Sequence, residues 1–364
     1  MIKHEKKLSK FAVIMIICWA AALAALAVCM LILRSYLADY ESVQPKYAAE
    51  KVFSEYFSPV DYEALLEYAD ESLTKFNKKE ALVAYLSTLT DGKELSYHNV
   101  STGVDADAAK YIVKYSEDGQ DIKIASFTLR KSDEKSPKGF SVYKLSEAEL
   151  FFPASVCVQI LVQNGYTPYV SGKALDESYI VEADIPSDAN AHLPEGVGGV
   201  FFSRYEVGGL VEVPEIEIKS PAGEAKNAFL DEESGCYEAV PDYDDALAEE
   251  YTEYVIKAAE LYATYMQNDC SFGKISPYFE SGTQLYNDIR TTTTAWVIDH
   301  DSYHFEDEEA SEFYRYDENT FSCRIKLTHV LKRSRLEDYK DYVDITFYLR
   351  KSDGKYLIYD RTNN

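Results

Sequence analysis

Phe127-Thr128-Leu129-Arg130-Lys131-Ser132-Asp133 returns 220 residues later as Phe347-Tyr348-Leu349-Arg350-Lys351-Ser352-Asp353, with six of the seven residues identical. Each copy is followed by a Gly-containing turn and a short aromatic run, residues 140–145 after the first and 356–361 after the second. The pair reads as one terminal β-hairpin used twice.

The flanks agree in pattern. Residues 46–57, 61–69 and 78–89 read as helical before the first copy. Residues 243–267 do so before the second, with Val255, Ala259, Tyr262 and Met266 at helical spacing. Further helical stretches are expected near 275–279 and 281–291. In residues 323–330, Cys323, Ile325, Leu327 and His329 alternate with Arg324, Lys326 and Thr328. In residues 342–349, Val343, Ile345, Phe347 and Leu349 alternate with Tyr342, Asp344, Thr346 and Tyr348. A period of two gives a sheet with one buried face. Helices followed by antiparallel strands is an α+β order. Residues 152–241 differ in texture: strand-like runs at 156–162, 166–170, 199–205 and 211–218 are broken by Pro and Gly, which predicts a small all-β module.

At the N-terminus, FAVIMIICWAAALAALAVCMLIL (residues 11–33) carries no charge over 23 residues. As a helix it reaches ~34 Å, enough for a hydrocarbon core of ~30 Å. Lys3, Lys6, Lys7 and Lys10 precede it, whereas only Arg34 follows before Asp39 and Glu41. That bias places the N-terminus in the cytoplasm and the C-terminal region outside it, in a single-pass protein of the plasma membrane. A cleaved signal peptide has a shorter apolar region, and Ala25-Leu26-Ala27 lies inside the run rather than at its edge. Leu26-Ala27-Val28-Cys29 approximates a lipoprotein site, with Val28 bulkier than the small residue expected there. The expected layout is a cytoplasmic tail (1–10), a transmembrane helix (11–33), a stalk (34–45), an α+β domain (46–150), a β-rich domain (151–241) and a second α+β domain (242–364).

A formal charge of −25 excludes nucleic acid, which is bound through clustered Lys and Arg. It also opposes broad attraction to an anionic membrane surface. The 31 tyrosines suit half-buried pleats. Cys157, Cys236, Cys270 and Cys323 lie outside the apolar run and show no C-x-x-C spacing. Pairs Cys157/Cys236 or Cys270/Cys323 are open in an oxidising compartment; buried thiols are the simpler expectation.

The helices-then-curved-sheet order, used twice behind one anchor, resembles the NTF2-like (cystatin-like cone) superfamily. The layout is also similar to the extracytoplasmic part of TcaA-type membrane proteins of Gram-positive bacteria. The residues that carry this are 258–268, the run Tyr278-Phe279-Glu280-Ser281-Gly282-Thr283-Gln284-Leu285-Tyr286, and the closing strands at 343–350 and 356–361. The middle stretch at 158–175 is similar in texture to the β modules of those proteins. The short N-terminal tail has no Cys-rich zinc ribbon, in which it departs from them. The resemblance implies α+β cones flanking a small all-β module, and a role in the cell envelope.

Few residues point to chemistry. His300 and His304 would sit ~13 Å apart on a strand, too far to share one ion. Residues 299–312 hold seven acids and no Lys or Arg, without a D-x-D-x-D-G calcium loop. They read as a charged strand edge, with Lys332, Arg333 and Arg335 opposite in sign on a neighbouring loop. His329 falls on an apolar face; with Asp344 it forms the candidate pocket, a buried base being what cone enzymes use. Trp296, Tyr303, His304, Lys332, Arg333 and Arg335 make up the candidate interaction surface. No nucleophile elbow, phosphate loop or dinucleotide fingerprint appears, so neither a cofactor nor a metal is expected. The leading expectation is a non-enzymatic envelope binding or scaffold protein whose partner is an envelope protein, a wall polymer or a second copy of the chain. A conjugation- or secretion-channel subunit and a small-molecule-binding or enzymatic cone are the alternatives.

Overall fold

The computed structural model describes residues 10–101, 107–154, 156–292 and 297–364. The fold is α+β and resolves into two compact units. The first runs to Cys157 and includes Gly208–Pro214; the second comprises Val158–Val207 and Glu215–Asn364.

The first unit begins with α1 (Lys10–Ser42), a helix with no buried residue and a mean hydropathy of 2.8 over its most apolar stretch. It passes beyond Leu33 without a break, so most of the segment expected as a separate stalk continues the same helix. Helices α2 (Pro45–Tyr56), α3 (Tyr62–Leu65), α4 (Ser72–Lys75) and α5 (Lys79–Thr90) follow. Pro45 opens α2, where its missing N–H costs nothing. The Asp61 carboxylate caps α3 by accepting from the Ala64 N–H at 3.0 Å. These helices cover an antiparallel sheet of β1 (Ser96–Asn99), β2 (Ala108–Glu117), β3 (Gln120–Lys135) and β4 (Ser141–Leu150), in that order. Leu65, Leu82 and Leu86 from the helices meet Val113, Phe127 and Leu129 from the strands in one core.

The β module contains β5 (Val156–Gln163), β6 (Thr167–Val170), β7 (Lys173–Ala174), β8 (Ile180–Pro186), β9 (Phe201–Leu210), β10 (Ile216–Lys219), β11 (Ala225–Leu230) and β12 (Tyr237–Ala239). They form one sheet in the order β7-β6-β10-β11-β12-β5-β9-β8.

The second cone starts with α6 (Asp245–Met266), capped by Asp244, and continues through α7 (Phe272–Ile275) and α8 (Gln284–Thr291). Its sheet runs β13 (Ser302–Arg315), β14 (Thr320–Lys332), β15 (Tyr339–Ser352) and β16 (Lys355–Asn363), again antiparallel and in sequence order. Bulges in β13 and between Tyr348 and Leu349 bend it.

The two copies of the repeat occupy the third strand of each four-stranded sheet, β3 and β15. Phe127, Leu129, Phe347 and Leu349 are all fully buried. In the second copy the following turn uses Asp353 and Gly354, both at positive φ, as a two-residue hairpin turn requires.

The β module and the second cone share the second unit. His192 stacks on Tyr348 at 4.6 Å, and its Nδ1 lies 2.8 Å from Asp360. Gln163 Nε2 donates to the Tyr314 hydroxyl at 2.8 Å. Tyr348 and Tyr359, on the sheet face opposite Phe347, are therefore buried as well. Cys157, Cys236, Cys270 and Cys323 are thiols in this structure.

Candidate functional site

The helix-facing interior of the second cone is filled. Phe279, Phe313, Phe321, Phe347 and Ile358 pack there around Cys323, whose thiol is raised by burial. Polar side chains gather at the end of the sheet that carries the β14–β15 loop.

His329 sits at this end, wholly buried, on β14. Its cross-strand partners are Phe305 on β13 and Asp341 on β15. The Phe305 ring stacks on the imidazole at 4.7 Å and Tyr303 meets it edge-on at 5.4 Å. Among the described residues neither ring nitrogen has a hydrogen-bond partner. Burial holds the His329 pKa below the ordinary imidazole value, against the opposing pull of Asp341 and Asp269.

Asp344 lies elsewhere. Alternation along β15 puts it on the face opposite Ile345 and Phe347, where the Arg324 guanidinium forks onto it with two contacts of 2.8 Å. Asn364 adds a third at 3.0 Å. Arg324 holds the Asp344 carboxyl down at about 2. The candidate pocket of His329 and Asp344 is thus not one site: the two side chains point to opposite faces of the sheet, His329 wholly buried and Asp344 partly exposed but clasped by Arg324.

The proposed surface residues share the loop end of the cone but not one role. Tyr303 is half exposed above His329. His304 Nε2 lies 2.9 Å from Glu306, which also takes Lys340 at 2.8 Å. Lys332 pairs with Asp338 at 2.5 Å, and Arg333 donates to the Glu337 carbonyl at 2.7 Å. Arg335 and Leu336 are exposed. Trp296 lies outside the described residues. The acidic stretch does face the basic loop, through Asp301, which accepts from the Ser334 N–H at 2.6 Å. The His300 side chain is covered here too, with Nε2 3.0 Å from Asp269. Among the described residues no three His, Cys, Asp or Glu side chains are grouped to hold an ion.

A cleft of about 440 Å³ opens between α6 and the strands β15 and β16; Asp344 lines it beside Asp341, and of its lining residues the sequence singled out Asp344 alone as a pocket candidate. Tyr262, Met266, Val343 and Ile345 supply its apolar wall, and Arg361 its cation. The Arg361 guanidinium lies over the Tyr262 ring at 5.1 Å and donates to Asn363 Oδ1. Its Nε is buried with no hydrogen-bond partner among the described residues. Arg361 was hidden in the sequence because it stands at an inward position opposite Phe347 on β16, where an apolar residue is expected.

The His329 environment has a measurable consequence. The unfolded imidazole titrates near ~6.5, and the folded one lower. Between those values the unfolded chain binds more protons, so stability falls as pH drops below ~6.5. His329→Leu should flatten that slope between about pH 7 and about pH 5. It should also add about 1 kcal/mol at neutral pH by removing unpaired buried nitrogens. Urea unfolding at the two pH values reads both effects; an unchanged slope would assign the acid sensitivity to other groups.

Neither a known protein family nor a curated protein matches the chain. Among solved structures it is similar to one described as "Ntf2 like protein involved in plasmid conjugation", at 8% identity over 80% of this chain and 84% of that chain, with a TM-score of 0.23.

Proposed function

We propose that this chain is a membrane-anchored extracytoplasmic protein that binds a cell-envelope partner and does not catalyse a reaction. The observation that carries this reading is the combination of an unburied apolar helix with a cone whose interior is packed solid. A packed cone leaves recognition to its surface and its open end. The resemblance of the layout to TcaA-type proteins of Gram-positive bacteria points the same way. The exposed part of the Lys332–Arg335 loop is a cationic feature of that end, in a chain that is otherwise acidic, whereas the cleft at Arg361 also carries Asp341 and Asp344. The loop suits an anionic partner, a wall polymer or an acidic envelope protein.

The test is sedimentation of the detergent-solubilised full chain with purified anionic wall polymer and, separately, capture from membrane extract. Binding of the parent should weaken several-fold in Arg333→Glu/Arg335→Glu, and fall with salt as exposed charge pairs do. Equal retention of parent and variant would place recognition away from this loop. No retention of either would count against the envelope-binding reading.

A further inference from the structure

The outer end of α1 is tied to the first cone. Asp39 accepts from Ser136 Oγ at 2.5 Å and from the Lys138 N–H at 3.1 Å. Ser136 itself closes the β3–β4 hairpin. Its N–H donates to the Phe140 carbonyl at 2.8 Å and its own carbonyl accepts from the Gly139 N–H at 2.9 Å. Gly139 stands at φ +89, a conformation that favours glycine. Tyr36 and Tyr40 set their edges against Phe140 at 6.4 and 5.3 Å, and Lys138 Nζ lies 5.3 Å from the centre of the Tyr36 ring. Helix and hairpin form one corner, although 97 residues separate Asp39 from Ser136.

The height of this corner follows from helix geometry. The uncharged run ends at Leu33. At ~1.5 Å per residue, Tyr36 stands ~4.5 Å and Asp39 ~9 Å beyond it. The polar layer adds ~5–7 Å to each side of a ~30 Å hydrocarbon core. Tyr36, with Phe140 and Lys138 packed against it, is therefore at headgroup level. Tyrosine is favoured at that depth, and a lysine stem can cross apolar surface to reach a phosphate. Lys135 is engaged by Ser141 Oγ at 2.7 Å. Lys138 has no carboxylate partner among the described residues. The charge of −25 repels most of the chain from an anionic bilayer, which leaves this tip and Arg34 at the end of the apolar run as its points of contact.

We propose that the tip of the β3–β4 hairpin, residues 136–140, is a phospholipid-headgroup contact. Lys138 meets lipid phosphate, Tyr36, Tyr40 and Phe140 form its aromatic rim, and Asp39 locks the hairpin to the helix. The first cone is thereby held at a fixed angle to the bilayer. The proposal rests on α1 spanning the membrane, and the experiment reads the two separately.

Nitroxide labels are placed one at a time on Cys18, Lys138→Cys and Gln120→Cys, the last at the far end of β3. The full chain is used, with the other exposed or partly exposed cysteines replaced and buried Cys236 and Cys323 retained. In vesicles of mixed phosphatidylcholine and phosphatidylglycerol, accessibility to oxygen and to an aqueous nickel chelate gives the depth of each label. The expected result is hydrocarbon depth at Cys18, headgroup depth at Lys138→Cys with several-fold protection from nickel, and full aqueous exposure at Gln120→Cys. Hydrocarbon depth at Cys18 with Lys138→Cys as exposed as Gln120→Cys would overturn the headgroup contact and leave the span standing. Aqueous exposure at Cys18 would overturn both. A label on Lys135→Cys should move into water when Asp39→Ala and Lys138→Glu are combined, and less when Asp39→Ala is added alone; equal movement in the two overturns the role of the phosphate.

Discussion

Phe347→Ala is expected to destabilise the second unit by about 3–5 kcal/mol, the range for removing a fully buried phenylalanine ring from a core. The ring is wholly inaccessible, lies opposite Cys323 on β14, and meets the Phe279 ring edge-on at 6.2 Å. Its surroundings cannot collapse into the gap cheaply. Cys323 and Arg361 are pinned on the flanking strands by backbone pairing, and the opposite face of β15 is already covered where His192 stacks on Tyr348. Interiors packed on both sides relax little after truncation, which puts the cost above simple transfer of the lost atoms. Phe347→Leu retains most of the apolar volume and should lose less than half as much. Urea unfolding followed by circular dichroism measures both; a loss under about 1 kcal/mol in the alanine variant would mean that the ring does not carry the packing described.

The repeat and the alternation of β14 and β15 were legible because a half-buried strand writes its buried face directly into the sequence. The same reasoning failed where a second layer covers the other face. Tyr348 and Tyr359 stand at positions that period two assigns to solvent, yet the β module buries them through His192. Nothing local to those residues records a contact with a segment more than 150 positions away. His329 and Asp344 were grouped because both lie in apolar strands and both titrate. Register then separates them, since His329 shares the face of Ile325 and Leu327, and Asp344 that of Arg324 and Thr346. The helix beyond Leu33 was hidden by composition: the change from apolar to polar residues marks where a bilayer ends, not where a helix does. Arg361 was overlooked for the converse reason, as a cation at an inward position that a pattern of apolar residues treats as noise.

A second large effect is expected at Asn77, a residue that reads in isolation as ordinary turn chemistry. It is buried, and its amide makes three hydrogen bonds of 3.0 Å: Nδ2 donates to the Leu73 and Gly209 carbonyls, and Oδ1 accepts from the Val211 N–H. Two of these join it, within the first unit, to a segment more than 130 residues ahead. Asn77→Leu keeps the branched shape of the side chain and removes every polar contact. It deprives the exposed Gly209 carbonyl and the half-buried Val211 N–H of this partner, and since water can reach both, the cost is about 0.5–1.5 kcal/mol for each bond, or about 1–3 kcal/mol together. Gly209 stands at φ +75, so the 209–211 backbone cannot simply straighten to find new partners without leaving a conformation chosen for this contact. Amide exchange separates this local effect from general destabilisation. The Val211 N–H should exchange at least about tenfold faster in the variant, since about 1.4 kcal/mol already corresponds to that factor. The Phe127 N–H in the middle of β3 should speed up only as far as global stability falls. A variant as stable as the parent, with Val211 still protected, would show that 209–211 is held by the surrounding strands and not by Asn77.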